Sequence, residues 1–252
     1  MRKVKDYLSW IKPNNNIRNF IDAICKQYGI ENYTINKDGS IDVDRDVNLC
    51  NKGLSKLPLK FRKVSGNFDC SYNELISLEG SPSKARYFNC GSNKLTSLEH
   101  GPKNVDYYNC TNNHLTSLEG APESMYSFDC SRNNLESLYG CPKKLSIFKC
   151  SYNKLTSFEF GPEFVMESYS CDKNKITNFK GFPEDFNGYL SFQNNPIAKL
   201  LSNIPEEMCN KFIYWCIEYE AISNDGKLIP ERMEEVYHKL GLDYEDDEEY
   251  IY

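Results

Sequence analysis

The sequence predicts a repeat solenoid, and three observations predict it. Six cysteines, Cys70, Cys90, Cys110, Cys130, Cys150 and Cys171, recur at steps of twenty residues with one step of twenty-one. An asparagine follows each by three positions (Asn73, Asn93, Asn113, Asn133, Asn153 and Asn174), and Asn195 extends the series. A glycine next to or near a proline ends each unit, as in Gly80 with Pro82, Gly101 with Pro102, Gly120 with Pro122 and Gly140 with Pro142. Self-similarity at a fixed period marks an architecture in which no unit buries a core alone and stacking makes the core continuous.

In register, the clear units are FDCSYNELISLEGSP from Phe68, FNCGSNKLTSLEHGP from Phe88, YNCTNNHLTSLEGAP from Tyr108, FDCSRNNLESLYGCP from Phe128, FKCSYNKLTSFEFGP from Phe148 and YSCDKNKITNFKGFP from Tyr169. Degenerate units flank them, VNLCNKGLSKLP from Val47 and LSFQNNPIAKL from Leu190, giving about eight in all. Each fits the leucine-rich-repeat pattern of a short strand, then x-x-N-x-L, then a turn back. Phe or Tyr takes the first strand position and Cys the second. Alternation at period two points both inward and the residue between them outward. Leu49, the six cysteines and Phe192 should then form one core column. The turn after the strand strands backbone groups inside the coil, and an asparagine amide, with two donors and an acceptor, can satisfy them in its own turn and its neighbour's. Leu75 and Leu78 and their counterparts fill the core. Glycine permits positive φ at the closing turn and proline favours extended backbone. So short a unit leaves little room for a helix. A concave parallel sheet is expected, with extended or polyproline-like segments on the convex side.

Open solenoid ends need caps. Val4, Tyr7, Leu8 and Ile11 fall at helical spacing before Pro13, and Ile17, Phe20, Ile21, Ile24, Cys25 and Tyr28 repeat the pattern up to Gly29. SIDVDRDVNL then alternates into the first unit. Met208, Cys209, Phe212, Trp215, Cys216 and Tyr219 form a further helical stripe, and Pro230 opens a last helix through Met233, Val236, Tyr237 and Leu240 to Gly241. The expected organisation is a helical cap and leading strand at 1–45, a solenoid at 46–204 and a helical cap with an acidic tail at 205–252, all in one structural domain.

Composition narrows the function. The 252 residues are 40% hydrophobic and 26% charged, as in a soluble folded chain. No run of ~18 apolar residues is present, so no membrane span is expected. The start, MRKVKDYLSWIKP, lacks a continuous apolar core and is read as mature protein. A net charge of −6 disfavours general nucleic-acid binding. The run from Asp243 to Tyr252 is read as a solvated end. The cysteine column is linear whereas zinc wants a tetrahedron of ligands, so the column is read as buried thiols in a reducing, cytoplasmic compartment, with no metal or cofactor. His100, His114 and His238 share no ligand spacing, and Glu79, Glu99, Glu119 and Glu159 are read as a solvated row. No Ser-His-Asp set, phosphate loop or H-E-x-x-H is present, so no enzyme is expected.

The C-S-x-N-x-L-T-S-L-E-G-x-P unit, preceded by INKDGSIDVDRDVNLCNKGLSKLP, resembles leucine-rich-repeat proteins of bacteriophages, prophages and some large DNA viruses over residues 30 to 220. The resemblance implies protein recognition inside an infected cell. The unit is more distantly similar to the repeat domains of secreted bacterial effector ligases. Those carry a separate catalytic domain with a cysteine nucleophile, which the short region after Pro205 does not match.

Specificity should then lie where the units differ. Candidate binding residues on the concave face are Tyr72, Tyr87, Asn89, Tyr107, Asn109, Asp129, Arg132, Lys149 and Tyr152. Tyrosine and arginine combine large contact area with a hydrogen-bonding end. The expected function is a monomeric protein-interaction module, a phage or viral protein binding a host protein. The alternative is a self-assembling scaffold component that associates through a cap or the stripe near Trp215.

Overall fold

The computed structural model describes residues 15–183, 186 and 188–244. The chain is a parallel β-solenoid of about seven turns at a spacing of about twenty residues, with few helices. It falls into two compact units, residues 1–115 with 119–127, and residues 116–118 with 128–252. The helix expected from Val4 to Ile11 and residues 245–252 of the acidic tail lie outside the described residues.

The first unit begins with α1 (Asn15–Tyr28), which buries Ile21 and Cys25 but leaves Ile17 and Phe20 exposed, so its apolar stripe is only partly covered. Gly29 closes it at φ 65°, and the Ile30 N–H donates to the Cys25 carbonyl at 2.8 Å. Four strands follow: β1 (Tyr33–Ile35), β2 (Ile41–Val43), β3 (Val47–Asn48) and β4 (Phe61–Val64). β1 pairs antiparallel with β2, and β2 pairs parallel with β4. The repeats supply β5 (Phe68–Asp69), β6 (Tyr87–Asn89) and β7 (Tyr107–Asn109). β3, β5, β6 and β7 pair parallel with Val47, Phe68, Phe88 and Tyr108 in register. The buried rings touch, Phe68 to Phe88 at 5.5 Å and Phe88 to Tyr108 at 5.0 Å between centroids. Each fully buried side chain of this kind contributes about 1.5–3 kcal/mol.

The second unit carries all but the first residue of β8 (Ser127–Asp129), together with β9 (Lys144–Lys149), β10 (Phe164–Ser170) and β11 (Tyr189–Ser191). The twenty-one-residue cysteine step resolves between β9 and β10. Val165 pairs with Leu145 and Ser168 with Ile147, so the extra residue is taken up as a β-bulge at Met166 and Glu167. A short α2 (Ala198–Leu201) follows. Then α3 (Cys209–Glu218) buries Phe212, Ile213 and Cys216, and α4 (Pro230–Leu240) buries Met233 and Val236. Pro230 and Gly241 bound α4 as the sequence predicts, with Gly241 in the left-handed region at φ 68°. Phe192, expected at the end of the cysteine column, is only half-buried.

The asparagine column does what its chemistry predicts. Asn93 Nδ2 donates to the carbonyls of Cys90 at 3.0 Å and Gly91 at 3.3 Å in its own coil and of Cys70 at 3.0 Å in the coil before. Its Oδ1 accepts the Leu75 N–H at 3.0 Å. Asn153 repeats the set on Cys150, Cys130 and Leu135. The cysteines add a weaker bond: Cys70, Cys90 and Cys130 each donate Sγ–H to the carbonyl one coil on, at 3.4 Å. The segments that close each coil are mostly bends and turns rather than the extended backbone expected, and pairing recurs just before the strands and at their starts. Lys84 bridges Asn104 in parallel, and Lys144 and Leu145 pair with Phe164 and Val165.

Candidate strand-face binding site

The outward position of each strand is partly committed to the fold. Asn89 Oδ1 accepts the Gly91 N–H at 3.1 Å, Asn109 Oδ1 the Thr111 N–H at 2.9 Å, and Asp129 Oδ1 the Ser131 N–H at 3.1 Å. Asn48 and Asp69 do the same for Cys50 and Ser71. These are Asx turns, in which the side chain holds the backbone two residues on. Asn89, Asn109 and Asp129 thus bind their own turns first, and all three are half-buried. Lys149, at the same position, is exposed.

Three residues after each outward strand position, the backbone enters the left-handed region. Asn51, Tyr72, Ser92, Asn112, Arg132, Tyr152, Lys173 and Asn194 have φ between 53° and 59°. Asparagine tolerates this conformation, whereas bulkier residues adopt it at some cost. The requirement recurs at every coil and belongs to the turn. It also lifts the side chains outward, with Tyr72 65% and Tyr152 39% exposed.

In the first unit the structure brings Tyr87 and Tyr107 together at 6.4 Å between ring centroids. It adds Tyr126, 5.3 Å from Tyr107 and 39% exposed, which the repeat register does not reveal because Tyr126 lies one place before that column. Tyr72 is exposed in the same unit and contributes no ring contact to this row.

In the second unit Arg132 and Tyr152 form one cluster. Arg132 Cζ lies 4.1 Å from the Tyr152 ring centroid, and Lys173 Nζ lies 4.5 Å from it. Such contacts stabilise by about 0.5–1 kcal/mol at exposed sites. The Lys173 ammonium, by hydrogen bonding and by charge, and the Arg132 charge after it, hold the Tyr152 hydroxyl below the ordinary tyrosine value. Among the described residues Arg132, Lys149 and Lys173 make no ion pair.

The cysteine column has a different character. None of the eleven cysteines is in a disulfide. Burial pushes Cys70, Cys90, Cys130, Cys150 and Cys171 well above the usual thiol value, which keeps them protonated and unreactive. Among the described residues no group of three or more His, Cys, Asp or Glu could hold a metal ion, and no helix is long and apolar enough to cross a membrane. Glu79, Glu99 and Glu119 are exposed, and Glu159 pairs with Lys180 at 3.0 Å. His100 occupies a positive-φ turn at 64°.

No protein-family model matches the chain, and no curated protein matches it.

Proposed function

We propose that this chain is a protein-interaction module acting through the outward side of its parallel strands. One observation carries the reading. The positions that repeat are occupied in building the coil, while those that vary hold exposed aromatic and cationic side chains, the residue types that dominate interface energetics. A hydrogen-bonded solenoid supplies a preorganised surface, so little ordering entropy opposes binding. The unbridged cysteines support a reducing, cytoplasmic setting. The resemblance to phage and viral repeat proteins supports a host protein as partner, and the acting species in this reading is a monomer. Among the described residues no constellation of catalytic groups competes with this reading.

The test is affinity capture from host lysate with wild type and with Tyr87→Ala/Tyr107→Ala, compared by mass spectrometry. The double variant should lose most of any specific partner that wild type retains. Equal capture of the same partners by both proteins would reject the strand face as the binding site.

A second reading, self-assembly, is favoured by one feature of the C-terminal cap: α3 leaves Tyr214 and Ile217 exposed. Light scattering across a concentration series separates the two, since a constant monomer mass excludes self-assembly.

A further inference from the structure

We infer that Arg132, Tyr152 and Lys173 form a clamp for an extended acidic peptide segment bearing carboxylates on alternate residues. The inference rests on the proposed protein-binding role and names the chemistry of the partner. It stands on three features of the second unit.

The first is position. Arg132, Tyr152 and Lys173 take the same place in three successive coils, each with left-handed backbone at φ 57°, 58° and 53°. Their backbone N–H groups are fixed by the next coil, Arg132 to Ser151, Tyr152 to Asp172 and Lys173 to Gln193, all at 2.8 Å. The stems of the clamp are therefore part of the solenoid's own ladder.

The second is geometry. With both cations within 4.5 Å of one ring centroid, Arg132 Cζ and Lys173 Nζ can be no more than about 9 Å apart. An extended chain rises 3.2–3.4 Å per residue, so alternate side chains project on one side about 6.7 Å apart. A Glu-x-Glu segment can thus set one carboxylate on each cation. The guanidinium offers a planar fork that matches a carboxylate, and the ammonium a compact point charge.

The third is charge. The nearest candidate internal acceptor in sequence, Asp172, is already engaged, its Oδ1 accepting the Ser191 hydroxyl and the Gln193 N–H at 2.7 Å each. The two cations are held against the ring and not against a carboxylate. The whole chain carries −6, so long-range electrostatics oppose an acidic ligand. Attraction to one therefore reports a local site and not the general field.

The experiment uses the full chain and fluorescein-labelled octaglutamate, with octaglutamine as the uncharged control and an eight-residue oligothymidylate as the rival anion, read by fluorescence anisotropy at low salt. Wild type should bind octaglutamate at least tenfold more tightly than octaglutamine and more tightly than oligothymidylate. Arg132→Gln/Lys173→Gln should weaken octaglutamate about tenfold, the combined effect of two exposed charge pairs. Tyr152→Phe, which keeps the ring, should retain binding, and Tyr152→Ser should weaken it. Circular dichroism melting confirms that each variant is folded. Equal binding of octaglutamate and octaglutamine, or tighter binding of the oligonucleotide, overturns the inference. So does an equal loss in the control Lys52→Gln/Lys56→Gln, two exposed lysines of the first unit. If octaglutamate fails while Tyr87→Ala/Tyr107→Ala still abolishes partner capture, the clamp falls and the strand-face reading stands.

Discussion

Tyr72 and Tyr152 occupy the same place in their coils, with φ of 54° and 58° and a fixed N–H each. Their surroundings differ. Tyr72 stands exposed in a unit whose outward aromatics are Tyr87, Tyr107 and Tyr126, rings in contact with rings. Tyr152 lies between coils that supply Arg132 and Lys173, a ring in contact with cations. The left-handed turn and the asparagine amide are common to both units. The chemistry presented to a partner is not. In a solenoid the repeated residues fix where a side chain projects, and the varied ones decide what it recognises.

The strongest test of the common frame is to remove the asparagine in each unit. Asn93→Ala leaves the carbonyls of Cys70, Cys90 and Gly91 and the N–H of Leu75 without this partner inside the protein. An unmet buried polar group costs about 1–3 kcal/mol, so a loss of at least 3 kcal/mol is expected. Asn153→Ala breaks the matching set at Cys130, Cys150 and Leu135 and should cost the same to within about 1 kcal/mol. Urea unfolding measures both. A mild effect at either position would show that its unit does not depend on the ladder.

Much of that frame is legible in the sequence because a fixed period repeats a backbone requirement until it stands out. The asparagine, cysteine and closing glycine columns are of this kind, and Pro230 and Gly241 mark α4 through local backbone chemistry. The binding face is less legible. Asn89, Asn109 and Asp129 read as outward and available, yet each hydrogen-bonds its own turn, because a short polar side chain finds the nearest backbone donor. The left-handed residue is hinted at by asparagine at positions 51, 112 and 194, but Tyr72, Arg132 and Tyr152 conceal it. Tyr126 is hidden by register. The repeat places Arg132, Tyr152 and Lys173 in one column just after the strands, but that both cations close on the one ring is a matter of side-chain conformation, which a period does not encode.

A smaller effect should separate the units. The two clear repeats whose first strand residue is tyrosine, at Tyr108 and Tyr169, are entered through Gly101 and Gly161, where the phenylalanine strands at Phe88, Phe128 and Phe148 are entered through Ser81, Ala121 and Cys141. A Cβ at Gly101 would sit 2.6 Å from the Tyr108 hydroxyl oxygen, 3.0 Å from the Leu98 carbonyl oxygen and 3.2 Å from a Leu78 methyl. Gly101→Ala should therefore cost about 1–3 kcal/mol, and Tyr108→Phe should recover most of it by removing the closest atom. At Gly161 the nearest atoms are the Phe158 carbonyl oxygen at 2.8 Å and a Leu138 methyl at 2.9 Å, with the Tyr169 hydroxyl at 3.5 Å. Tyr169→Phe should leave the cost of Gly161→Ala unchanged. Double-mutant cycles read the coupling, and equal coupling in the two units would refute the steric account.

The smallest expected effect concerns ionisation, and it contrasts the exposed tyrosine with the buried ones. Burial drives the hydroxyls of Tyr108 and Tyr169 far above the ordinary tyrosine value, so neither ionises while the protein is folded. Tyr152 moves the other way, first through its hydrogen bond with Lys173 and then through the charges of Lys173 and Arg132. A depressed value means that the folded state favours the phenolate. Its contribution to stability is fully present above the ordinary tyrosine value and is lost as pH falls through the lowered one. Subtracting the phenolate absorbance titration of Tyr152→Phe from that of wild type isolates this residue, and the midpoint should lie below 10.0, the ordinary value. Lys173→Gln should return it upward more than Arg132→Gln does, because Lys173 supplies both the hydrogen bond and the larger charge effect. A midpoint at the ordinary value in wild type would show that the ammonium does not rest at the ring in solution. It would also remove the preorganisation on which the acidic-peptide clamp depends.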